Sequence, residues 1–256
     1  MAETESPGSE PTVVHLVGLS VTGTSTTSMS LRRRYHMSGQ HFRSSAYFAR
    51  QSYQIEQSGS SLSADDRDMQ YMAYVTASLL ANVAGLEALI NEYFADVVAT
   101  HLENIKQLSD DTREFLRSMW NWNFEKVGGI PTQPGVLAKY RKALSLANKA
   151  AFEESKPPIE QVQQVIEIRD KLVHYQAQFD TDSGTISQHF ETAFGATTFP
   201  LNPFSPQGTF YFPQRMLSHG CAEWAFQSSD KFVDAFCQRI GYRKPYGESP
   251  IDLPTR

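Results

Sequence analysis

The longest periodic segment of the chain is DRDMQYMAYVTASLLANVAGLEALINEYFADVVATHL, residues 66–102. Within it Met72, Val75, Leu79, Val83, Leu86, Ile90, Phe94 and Val97 recur every three or four positions, which predicts one long helix with a single buried face. Ser63 or Asp65 supplies its cap. The same spacing predicts helices over residues 40–57, 110–126, 136–153, 158–179 and 215–240, separated by SGSSLSADD, GGIPTQPG and SKPP, and Gly241 marks the end of the last. TVVHLVGLSVT (12–22) is β-branched and apolar, so it reads as a short strand or hairpin running into LRRRYHM. TISQHFETAF and GTFYF, in a Gly-, Pro- and Thr-rich stretch, read as strands or an irregular arm. The fold class expected is mainly α. It is an up-down bundle of four or five helices, with small β or irregular additions at the N-terminus and near 185–212. Residues 1–40 form a leader, residues 41–256 the helical domain with an irregular insertion at about 180–213.

One residue breaks the pattern. With Val162 at zero and about 100° per residue, Val165, Ile166, Leu172, Val173 and Phe179 form a stripe centred near 340°, and Arg169 falls at about 340° too. Asp170 and His174 fall on its border. A guanidinium cannot shed its charge, so one directed at a core must meet carboxylates, carbonyls or an anion. Glu87 and Asn91, on the edge of the long helix's buried face, are the expected partners inside the chain.

Composition narrows the chemistry. A net charge of −5 and a pI near 5.8 exclude a globally basic nucleic-acid binder, so phosphate has to be met by a local cationic patch. Arg32, Arg33 and Arg34, with Arg43, Arg50 and Lys171, are the candidates, although a solvated charge run is the commoner meaning of such clusters. The acidic, polar N-terminus does not read as a secretory signal, and no uninterrupted run of about 18 apolar residues occurs, so a cytoplasmic protein without membrane contact is expected. Cys221 and Cys237 fall sixteen residues apart in one helix, about 24 Å at roughly 1.5 Å per residue, and read as reduced, packed thiols. No CxxC, HxH or HExxH cluster appears; no metal site and no cofactor are expected. Trp120 and Trp122 are read as core aromatics before base-stacking ones.

RDKLVHY (169–175) resembles the RxxxxH signature of the HEPN superfamily, the higher eukaryote and prokaryote nucleotide-binding domains, in which a polar residue follows the arginine. The resemblance extends upstream through GLEALINEY and NFEKVGGIP, covers residues 66–180, and leaves residues 1–60 and 180–212 unexplained. It implies a helical domain that pairs as a homodimer around a shared cleft and, in many members, cuts RNA without metal. RNA carries its own nucleophile, the 2′-OH, so such an enzyme needs a proton acceptor and donor and a cation for the phosphorane. His174 suits the proton transfer, Arg169 the clamping of phosphate, and Asp170 the orientation of the imidazole.

The resemblance further implies a toxin or an anti-phage defence effector, with an antitoxin or regulatory partner. In HEPN toxins that a partner nucleotidylates, the acceptor tyrosine lies two positions after the histidine. Here Tyr175 follows His174 directly, which counts against that control. The competing reading is a non-catalytic HEPN-like dimerisation or interaction module in which Arg169 and Glu87 form a structural ion pair.

Overall fold

The computed structural model describes residues 35–58, 63–98, 111, 114, 135–177, 185–195, 198–206, 208–246 and 254–256. The chain divides into two compact units, Met1–Arg34 and Tyr35–Arg256, and every described residue belongs to the second. The strand expected at 12–22, the arginines 32–34, the helix expected at 110–126 and both of its tryptophans lie outside the described residues, apart from helical Asp111 and Glu114.

Among the described residues six α-helices carry the architecture: α1 (Ser38–Ser58), α2 (Ala64–Val98), α3 (Val136–Leu146), α4 (Ile159–Val173), α5 (Ile186–Phe194) and α6 (His219–Ile240). The class is mainly α, as the periodicity predicted, and no strand occurs among the described residues.

α1 and α2 form an antiparallel hairpin. At one end Glu92 of α2 accepts the Ser38 backbone N–H at 2.9 Å and the Ser38 hydroxyl, so a carboxylate from another helix caps the positive end of α1. In the middle the Ser78 hydroxyl donates to the Ser45 carbonyl at 2.9 Å. At the other end the Tyr71 hydroxyl donates to Glu56. The helices approach closely because Gly85 faces Phe42: a Cβ there would lie 3.0 Å from the ring.

α2 touches α1, α3, α4 and α6 and is the centre of the body. Its outer half, with Leu86, Leu89 and Ile90, packs on Tyr140, Phe232, Phe236, Ile159 and Val162. Its inner half, with Tyr71, Val75, Leu79 and Val83, packs on Val165, Ile168, Phe190, Phe212 and Ala222. Tyr140 donates its hydroxyl to the Leu86 carbonyl at 2.8 Å and meets Phe232 and Phe236 edge-on. An 18-residue window of α2 has a mean hydropathy of 1.5, long and apolar enough to cross a membrane by those measures, and half of it is buried within the body.

Three boundaries depart from the periodicity. TISQHFETAF, expected as a strand or irregular arm, forms α5 because the side chain of its cap, Thr185, accepts from the Gln188 N–H while the Gln188 side chain accepts from the Thr185 N–H, a reciprocal cap. Phe190 and Phe194, four apart, then share its buried face. GTFYF is likewise no strand; it leads into a wide turn, Tyr211–Arg215. α3 stops at Leu146, not at 153: Asn148 takes φ 52°, and Phe152 folds back against Phe232 under the Arg239 guanidinium, 3.9 Å above its ring.

Cys221 and Cys237 both lie buried and unpaired in α6, and burial pushes each thiol up to about 12. Both should stay unmodified by a thiol reagent at pH 8 in the native state and react on unfolding in denaturant, since the thiolate is the nucleophile. Glu92→Ala should lower stability by about 1–2 kcal/mol, read from urea unfolding, by uncapping α1.

Candidate functional site

α4 begins where Pro158 occupies the cap position and Ile159 is already buried. Ile159, Val162, Val165 and Ile168 form its buried stripe, with Ile166 and Leu172 partly covered beside it. The helix stops at Val173, six residues short of the expected end. His174 is its C-cap, with φ −108° and its backbone N–H still donating to the Asp170 carbonyl at 2.9 Å. Tyr175 leaves the helix line and leans towards Phe212, ring centres 6.4 Å apart.

The course of α4 decides what Arg169 can reach. Ile159 and Val162 share a core with Leu86 and Ile90, whereas Val165 and Ile168 share one with Val75 and Leu79, so α4 runs antiparallel to α2. Arg169 therefore lies in the half of α2 away from Glu87. The expected Arg169–Glu87 pair is not formed. Lys139 of α3 takes that place, its Nζ 3.6 Å from Glu87 Oε1 and donating to Asn91 Oδ1 at 3.0 Å.

Arg169 is instead a partly exposed cation at the open end of α4, its side chain 26% exposed. Its Nε lies 3.1 Å from Asp170 Oδ1, off the line that a hydrogen bond requires, and that N–H has no acceptor among the described residues. Asp170 thus engages the guanidinium by charge alone. Its contact with His174 runs through the backbone carbonyl, so the expected orienting of the imidazole by its carboxylate is not made. His174 and Tyr175 are both exposed. The structure places Arg169, Asp170, His174 and Tyr175 together at the end of α4, and Glu87 and Asn91 with Lys139 elsewhere along α2.

Two features here had not been expected. His189 of α5 sets its Nε2 3.0 Å from Glu167 Oε1 of α4. Between α3 and α4 an open groove of about 400 Å³ is lined by Leu137, Gln163, Ile166, Glu167, Asp170 and Lys171. Lys171 is thereby placed on a rim shared with two carboxylates rather than on a cationic surface. Neither Arg169 nor His174 lines the groove.

Lys139 was legible in principle. It stands three residues after Val136 and four before Ala143, inside the buried stripe of α3, where the test applied to Arg169 would have found it. His189 carries no such signal, because its segment lacks a helical period long enough to set its face.

No family model, curated protein or solved structure matches the chain.

The two cations should respond unequally to truncation. Lys139, 8% exposed, anchors Glu87 and Asn91, and Lys139→Ala should cost about 1–3 kcal/mol in urea unfolding. Arg169→Ala, which removes a pair whose Asp170 is 51% exposed, should cost less than about 1 kcal/mol.

Proposed function

We propose that this chain is a metal-independent endoribonuclease of HEPN type that acts as a homodimer in the cytoplasm, with the end of α4 as its reactive surface. One observation carries the reading. The Arg169 side chain is 26% exposed and its Nε–H, shielded from solvent, has no acceptor among the described residues, one residue from an exposed carboxylate and five from an exposed imidazole. A cation that served only to hold the fold would have its donors filled.

In the reaction, the 2′-OH of one nucleotide attacks the adjacent phosphorus while an imidazole of His174 takes its proton. The P–O5′ bond breaks, the 5′-oxygen leaves with a proton from an imidazolium, and the products are a 2′,3′-cyclic phosphate and a 5′-OH. Arg169 meets the extra negative charge on the phosphorane with its planar fork. The attacking and leaving oxygens lie on opposite sides of phosphorus, so one ring does not serve both at once. A second copy of α4 supplies the other imidazole, which is the chemical reason for a dimer. Arriving phosphate displaces Asp170 from Arg169 and leaves that carboxylate free for the ring of His174. A role as toxin or defence effector rests on the resemblance of RDKLVHY alone.

A second reading is favoured by the same Asp170 contact. A guanidinium already facing a carboxylate attracts phosphate less strongly, and Val173 and Tyr175 are exposed beside it. On this reading the end of α4 docks a protein and cuts nothing.

His174→Ala separates the two. On the nuclease reading the variant loses RNA cleavage in EDTA by at least about 10²-fold, with stability within about 0.5 kcal/mol of the parent because the ring is exposed. Equal cleavage by the two proteins would remove His174 from the chemistry, and no cleavage by either would leave the docking reading.

A further inference from the structure

On the solvent side of α1, Arg43, Tyr47, Arg50 and Gln54 follow at three- and four-residue spacing and so stand in one row. The Arg50 guanidinium lies 5.8 Å from the centre of the Tyr47 ring. Tyr47 meets Phe48 edge to face at 5.6 Å, and Phe48 stacks on Tyr74 of α2 at 6.2 Å with 23° between the planes. Cation and rings thus form a ladder across two helices, with Tyr47 48% exposed at its outer step.

The charge on this ladder has one sign. From Gln70 to Leu86, α2 has no charged residue. The only carboxylate of α1, Glu56, accepts from the Tyr71 hydroxyl at the far end. Neither Arg43 nor Arg50 pairs with a carboxylate among the described residues. An apolar protein partner covering this row would strip water from two guanidinium groups and give them no counter-charge, at high cost. A single-stranded nucleic acid answers both needs, because its bases offer flat faces and its phosphates the charge. Arg43 and Arg50 are seven residues apart, about 10 Å at 1.5 Å per residue, a span that their long side chains can close onto the phosphates flanking one stacked base.

We propose that the α1–α2 face binds single-stranded RNA, with a base on Tyr47 and the adjacent phosphates on Arg43 and Arg50. This surface is separate from the end of α4, and the proposal holds whether or not the chain cuts RNA.

The test is fluorescence anisotropy of the full chain with a labelled, unstructured 2′-O-methyl RNA of about 12 nucleotides. That oligomer lacks the 2′-OH nucleophile, so binding is read apart from cleavage. The parent should bind, more weakly as salt rises. The double variant Arg43→Ala, Arg50→Ala should bind at least about tenfold more weakly, its log–log salt slope reduced by about 1.4, or about 0.7 for each lost phosphate contact. Tyr47→Leu should weaken binding about tenfold with the slope kept. No binding by the parent at about 0.1 mM, or equal binding by parent and variants, overturns the proposal. Arginine-dependent retention on phosphatidylserine vesicles without RNA binding also overturns it and makes the face a membrane one. Arginine-dependent binding without cleavage of ordinary RNA supports it and removes the nuclease reading alone, while cleavage of ordinary RNA together with equal binding by parent and variants overturns it and leaves the nuclease reading standing.

Discussion

Burial of α2 is the constraint from which the rest of the body follows. Four of the other helices lie against it, and the apolar residues of each are spent on covering its two halves. Because α4 must lay Ile159 and Val162 on Leu86 and Ile90, its direction is set, and with it the place of every residue later in the helix. Arg169 then comes to rest where the buried stripe runs out. The site at the end of α4 is thus a by-product of packing three turns earlier, and its chemistry depends on contacts that contain no polar atom.

The helices were legible wherever the apolar period ran long enough to exclude alternatives. α1, α2 and the body of α6 lie within a few residues of their expected bounds. Errors gathered where local hydrogen bonding competes with period. Thr185 and Gln188 make a reciprocal cap that selects helix for a segment whose β-branched and aromatic content suggested strand. α4 ends at Val173, and Tyr175 beyond it meets Phe212, a residue 37 positions on, a contact that no local pattern reveals.

The candidate site was half legible. A charged residue in an apolar stripe is a sound signal that something must answer the charge, and Arg169 and Lys139 both give it. Lys139 turns out to be answered inside the fold, by Glu87 and Asn91, and Arg169 only in part. The helical wheel treats both alike, since it gives direction about an axis and not distance from a helix end. What separates them is that Arg169 sits just before the last turn of α4, where the buried stripe ends at Ile168. The contrast also shifts the structural ion pair to a different cation, Lys139.

The apolarity of α2 bears on how the protein is made. Half of its most apolar window is covered in the finished body, and part of that cover comes from α6, whose last residue follows that of α2 by 142 positions. At about 5–20 residues per second, the growing chain holds α2 outside the ribosome for on the order of ten seconds before α6 exists. α1, synthesised first, is at hand to shield one side throughout that interval, so the Glu92–Ser38 and Ser45–Ser78 contacts of the hairpin guard the nascent chain against premature association as well as shaping the mature one.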